Sequence, residues 1–133
     1  MRRSSFPLAR VLLGLALALA ACRSESPAAA VYRLRGEVAR LPAGDNLLTL
    51  HHEAIDDFRD RDGRVVGMDS MTMPFPLGKD VPLAGVAVGD RVEITLRVDW
   101  TADPGVAITT LTKLPAAAPP LVFRPARPPA KAG

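Results

Sequence analysis

The chain has 133 residues, about one domain's worth. It carries 17 Lys and Arg against 14 Asp and Glu, but Arg2, Arg3 and Arg10 stand in the first 21 positions, and the remainder balances at 14 to 14. A neutral body gives no electrostatic footprint for nucleic acid, and one cysteine excludes an intrachain disulfide, a cysteine-based zinc site and a C-x-x-C redox motif together.

The N-terminal arginines precede an apolar run, Val11 to Ala21. That length suits a signal sequence and falls short of the ~20 residues a membrane span needs. The run ends Leu19-Ala20-Ala21-Cys22, which resembles a bacterial lipobox, in which the cysteine is lipidated and becomes the mature first residue. Residues 1–21 are then a lipoprotein signal peptide and 22–30 a polar, Ala-rich tether. Acyl chains on Cys22 would hold the protein on a membrane surface without spanning it, and they would remove Cys22 from any metal or nucleophilic chemistry.

Residues 31–114 read as one small β domain. Tyr32, Leu34 and Val38 share one face of a first strand, with Gly36 allowing a bend or bulge. Leu48 and Leu50 mark a second strand after the turn at Gly44-Asp45-Asn46, and a third is expected over roughly Val65 to Phe75. The clearest alternation is in the fourth, where Val92, Ile94, Leu96 and Val98 interleave with Arg91, Glu93, Thr95, Arg97 and Asp99. A fifth runs from Val106 to Leu114, its alternation broken near Thr109-Thr110, and Val81 to Val88 has room for one helical turn. Five short strands around one core suggest an all-β fold, a small closed barrel that leaves no exposed edge. Beyond it, 12 of residues 115–133 are Ala or Pro, a composition that favours an extended, disordered tail. That tail carries Arg124, Arg127 and Lys131 and no acid, a charge that could touch anionic surfaces, but the expected reading is a solvated spacer.

The chemistry concentrates in one histidine and three methionines. Met68, Met71 and Met73 lie within six residues. Met71 and Met73 fall on one strand face with Phe75, while Met68 has the opposite parity and reaches them only if the backbone bends near Asp69-Ser70. Methionines commonly just fill core, but a Val, Leu and Ile core has no evident reason to gather them in one hexapeptide. By alternation His52 continues the inward face of Leu48 and Leu50, and His51 points to solvent. A lone inward histidine is usually a satisfied core residue; beside thioethers it is a candidate ligand. Thioethers are soft, uncharged donors that select Cu(I), and by the same softness Ag(I), over Zn(II) or Mg(II).

The run Leu48-Thr49-Leu50-His51-His52-Glu53-Ala54-Ile55, followed by Met68-x-x-Met71-Thr72-Met73-Pro74-Phe75 and the turn Gly89-Asp90-Arg91-Val92, resembles the CusF-like periplasmic copper- and silver-binding domains. The resemblance implies a five-stranded OB-like barrel that binds Cu(I) or Ag(I) at its open end and hands it to a partner, with His52, Met71 and Met73 as ligands. Where well-known relatives place a tryptophan over the ion, this chain has Met68, which resembles a branch found beside Sco-type copper assembly proteins. Met68 is therefore a fourth candidate ligand, or a lid over the site. The segment Asp56 to Gly67 is longer than the family norm.

Other constellations are weaker. Aligning Gly63 with the glycine of a calcium loop puts Phe58 where the first carboxylate belongs, so the Asp-rich segment reads as a solvated hairpin at Asp62-Gly63 instead. No nucleophile elbow, Walker loop or zincin motif is present, and nothing favours a triad built on His52. The few aromatics are spread along the chain, which argues against a nucleic-acid stacking platform. The expected protein is a monomeric, lipid-anchored periplasmic Cu(I)-binding metallochaperone, not an enzyme, serving a copper efflux or Sco-type assembly partner. The alternative is an accessory lipoprotein whose barrel is a metal-free interaction module.

Overall fold

The structure is a computed structural model, and it describes residues 29–130. The expected signal peptide, most of the expected tether and Cys22 lie outside these residues.

Five strands, β1 (Ala30–Arg40), β2 (Leu47–His52), β3 (Met71–Pro76), β4 (Arg91–Val98) and β5 (Val106–Lys113), form one antiparallel sheet in the order β3-β2-β1-β4-β5. The 11-residue β1 is long enough to serve two neighbours. Ala30 to Glu37 pair with β4, Gly36 to Arg40 pair with β2, and the register shifts between Val38 and Arg40 where the strand bends. Gly36 lies before that shift and lets β1 and β2 approach closely. A Cβ there would lie 2.8 Å from the His51 carbonyl oxygen and 3.2 Å from His52 Cα, closer than a side chain tolerates.

Alternation places the core as the sequence reads. Tyr32, Leu34 and Val38 of β1, Leu48 and Leu50 of β2, Phe75 of β3, and Val92, Ile94, Leu96 and Val98 of β4 are all buried. The irregularity near Thr109-Thr110 is a bulge: Thr95 faces Thr110 and Leu96 faces Ile108, so Thr109 has no partner and Ile108 returns to the core. The sheet curls until the end of β3 meets β5 at a single parallel bridge, Leu77 to Ile108, with Gly78 N–H donating to Ile108 O at 2.8 Å. The fold is an all-β, OB-like barrel, and its closure is one bridge rather than a full ladder.

The third strand is shorter than expected. Residues 55–68 leave the sheet as an irregular hairpin with isolated bridges Ile55–Met68 and Arg59–Val65, and Gly67 takes φ of 69° before β3 begins. Asp60 closes the tip by accepting from the Asp62 and Arg64 amides. Phe58 turns back into the barrel, where its ring lies 5.3 Å from that of Tyr32. The segment after Val81 forms turns without a helix, among them the Val86 N–H to Leu83 O bond.

Composition argues for an unpacked tail, yet residues 115–127 lie along the barrel surface, beginning with a turn in which Ala118 N–H donates to Pro115 O at 3.0 Å. Arg91 and Arg35 donate to carbonyls from Pro115 to Pro120. Further on, Val122 and Arg127 donate their amides to Glu53 and Asp56. The physical reason is that proline-rich backbone has carbonyls free of any ladder, and half-buried arginines on β1 and β4 collect them.

Candidate metal centre

His52 ends β2 and is fully buried, because β2 alternates inward at Leu48, Leu50 and His52. Its Nδ1 lies 2.7 Å from the carbonyl oxygen of Glu53. A carbonyl only accepts, so Nδ1 carries the proton and Nε2 keeps its lone pair. Nε2 is buried and, among the described residues, is the side-chain nitrogen or oxygen in that position with no hydrogen-bond partner. Burial pushes the imidazole pKa below its ordinary value of 6.5, so His52 is neutral at physiological pH.

What faces that nitrogen is set by strand register. β3 pairs with β2 so that Met71 stands directly opposite His52, Met73 opposite Leu50, and Phe75 opposite Leu48. Directly opposed residues share a face with Cβ atoms about 5 Å apart, and the diagonal neighbour is within reach of a long side chain. Met71 and Met73 therefore lie on the His52 face, as their parity predicts. Phe75 is fully buried beneath and meets the imidazole edge-on at 5.5 Å. Met71 is 42% exposed, so the site is open on that side.

Met68 lies outside β3, and its backbone is fixed to Ile55 by hydrogen bonds of 2.8 and 2.9 Å. The bend at Gly67 to Ser70 frees it from the parity of β3, and it packs, partly buried, against the core. His51, on the outer face, stacks on Phe123 of the tail at 3.7 Å between ring centroids and 8° between planes.

Glu53 follows His52 in the sequence and has a role that the sequence does not reveal. Its carboxylate accepts two bonds from Arg35, at 2.7 and 3.0 Å, and one from the Val122 amide at 2.8 Å. Its own N–H donates to Arg35 O. The carbonyl that orients the imidazole is thus fixed to β1, an arrangement that in metal sites sets ring orientation and ligand basicity. Arg35 and Glu53 stand 18 positions apart, and only the pairing of β1 with β2 brings them together.

The Asp-rich segment is occupied by other contacts. Asp56 binds Arg124 through both oxygens, at 2.8 and 2.9 Å, and Asp69 accepts from the Ala126 amide. Among the described residues no group of three His, Cys, Asp or Glu gathers into a hard-ligand site. A cavity of about 270 Å³ lies between Ala30, the Asp60–Gly63 turn and Trp100, and its walls carry neither sulfur nor imidazole.

Fold and register together define a small β-barrel in which Met71 and Met73 stand across from His52 and Leu50 on the neighbouring strand. The family described as copper binding periplasmic protein CusF matches residues 31–113, and the chain belongs to that family. Solved structures that it resembles include apo-CusF from Escherichia coli, at 16% identity over 69% of this chain and 98% of that one, with a TM-score of 0.48. The Ag(I) form of CusF from Escherichia coli is 15% identical over 65% of this chain and 95% of that one, with a TM-score of 0.46. No curated protein matches the chain in a sequence comparison.

Proposed function

We propose that the protein is a periplasmic carrier of Cu(I), or of Ag(I) by the same chemistry, held by His52 Nε2 and the thioethers of Met71 and Met73, with Met68 as a further sulfur donor. The observation that carries this reading is the buried, partnerless Nε2 set opposite Met71. An unsatisfied buried polar atom costs about 1–3 kcal/mol. A metal-free interaction module would bear that cost with no return, whereas a soft ion uses the lone pair. The donor set fits such an ion: neutral imidazole and thioethers, with no carboxylate among them.

The metal is cargo in this reading. Met71 gives the site an exposed side from which a partner's soft ligand can reach the ion. The receiver is a copper efflux or Sco-type assembly protein, and Cys22, if lipidated, keeps the carrier at the membrane. Purified protein should take up one equivalent of Cu(I) under reducing conditions. His52→Ala and Met71→Leu should each abolish tight uptake, and X-ray absorption should count two or three Cu–S contacts. Uptake that survives both substitutions would refute the site. Cys22→Ala should move the protein from the membrane to the soluble exported fraction.

A further inference from the structure

Residues 121–127 lie beyond the family match and touch both chain segments that lead into the candidate centre. On the His52 side, Val122 N–H donates to Glu53 Oε1 at 2.8 Å, and Phe123 stacks on His51. Asp56, four residues past His52, takes the Arg124 guanidinium through both oxygens and the Arg127 amide at 2.7 Å. On the methionine side, Arg124 N–H donates to Ser70 Oγ at 2.9 Å, and Ser70 N–H donates back to Arg124 O at 3.0 Å. Ala126 N–H donates to Asp69 Oδ1 at 2.7 Å, and Gly67 lies so close to the tail that a Cβ there would sit 2.7 Å from Ala126 Cβ.

We infer that this segment is a strap that positions the metal centre by tying residues 53–56 to residues 67–70. The link between Met68 and Met71 contains two residues, and both are held by the strap rather than by the barrel: Asp69 through its carboxylate, Ser70 through its amide and hydroxyl. The carbonyl that orients His52 belongs to a residue whose carboxylate the strap also holds. Phe123 and Arg124 are thus positioning residues, Phe123 acting through His51 and Arg124 through Asp56 and Ser70, with no contact to the ion required. The inference rests on the reading of His52 and the methionines as a soft-metal site. Its specific content is that ligand geometry is set partly by chain outside the barrel.

The test uses the full chain carrying Phe123→Ala and Arg124→Ala together, neither being a ligand. In the metal-free protein, amide exchange at Ser70 should quicken by roughly tenfold or more, while exchange in β1 and β4 is unchanged. Cu(I) affinity, measured by competition with a chromogenic chelator, should fall by about tenfold, the range for residues that orient metal ligands. The thermal midpoint should move little, which separates positioning from loss of fold. Unchanged exchange at Ser70 would overturn the inference, and so would faster exchange with unaltered affinity. A wild-type chain that takes up no Cu(I) or Ag(I) would sink the carrier reading and with it the metal half of the inference. That outcome is distinguishable, because failure of the strap alone shows as normal wild-type uptake matched by the variant.

Discussion

The barrel buries Leu48, Leu50, Phe75 and Ile108 completely, whereas no residue from 115 to 130 is buried, and the tail is held by amides, arginine pairs and one stacked ring. The first kind of contact depends on apolar area removed from water and is nearly indifferent to salt and to protonation. The second depends on geometry and charge and responds to both. His52 belongs to the barrel, but Glu53, Asp69 and Ser70 around it belong to the strap's contacts. The candidate centre therefore sits on the seam between a region held by apolar burial and one held by polar contacts.

The comparison breaks most severely from the barrel side. Leu50→Ala, directly beneath the site and opposite Met73, should cost about 2–5 kcal/mol through lost burial and the cavity left behind. Urea unfolding measures it, and strap contacts should be lost in the same transition. Gly36→Ala comes next, at about 1–3 kcal/mol, because its Cβ is driven into the His51 carbonyl and something must shift. Its nuclear magnetic resonance spectrum should show the largest changes at His51 and His52.

The third test is pH. His52 is neutral in the fold and its pKa is lowered from 6.5, so below pH 6.5 the unfolded chain binds a proton that the folded chain does not. Stability should be level above pH 6.5, then decline as pH falls toward the depressed folded pKa. His52→Leu should lack that decline. Cu(I) affinity should likewise begin to fall only below the depressed value, lower than an ordinary histidine would give. Flat stability in the wild type between pH 7 and the onset of carboxylate titration would contradict the burial of a neutral imidazole.

The smallest effect belongs to the strap. The Arg124 guanidinium and the Arg127 amide hold the Asp56 carboxyl at about 2, below the ordinary 3.8. A depressed carboxylate lends its stabilisation above the unfolded value and loses it as pH falls through the folded one. Docking should thus persist from neutrality to about pH 4 and fail between there and about pH 2. The ring-current shift of Phe123 on His51 reports it, with the barrel's far-ultraviolet signal unchanged until carboxylates elsewhere titrate. Release of the ring at pH 6 would show that the Asp56–Arg124 pair is not what holds the strap.

Much of this was legible in the chain because period-two alternation is a local signal. It places Leu48, Leu50 and His52 on one face, puts Met71 with Met73, and marks the defect at Thr109-Thr110. The start of β3 was less legible: a strand is expected from about Val65, but Gly67 at positive φ and the irregular residues Asp69-Ser70 delay the ladder until Met71. The strap escaped for a different reason. Its basic residues and the acidic run from Asp56 to Asp69 are both plain in the sequence, and their complementarity joins positions 68 apart only once the barrel brings them together. Composition describes how a segment behaves alone; Arg124 and Phe123 are held by what lies beside them. The same holds for Glu53, whose value to His52 is invisible until β1 supplies Arg35.

The bare backbone at Gly36 has a consequence for how such a centre can diversify. β1 passes His52 with no side chain on its inner face at that level, because the neighbouring strand's carbonyl already fills the space. That wall can contribute no new donor without first displacing β2. On the proposed site, changes of metal preference would arise across the sheet, at positions 68, 71 and 73. Substitution there can exchange one soft donor for another while the imidazole and its backing stay fixed.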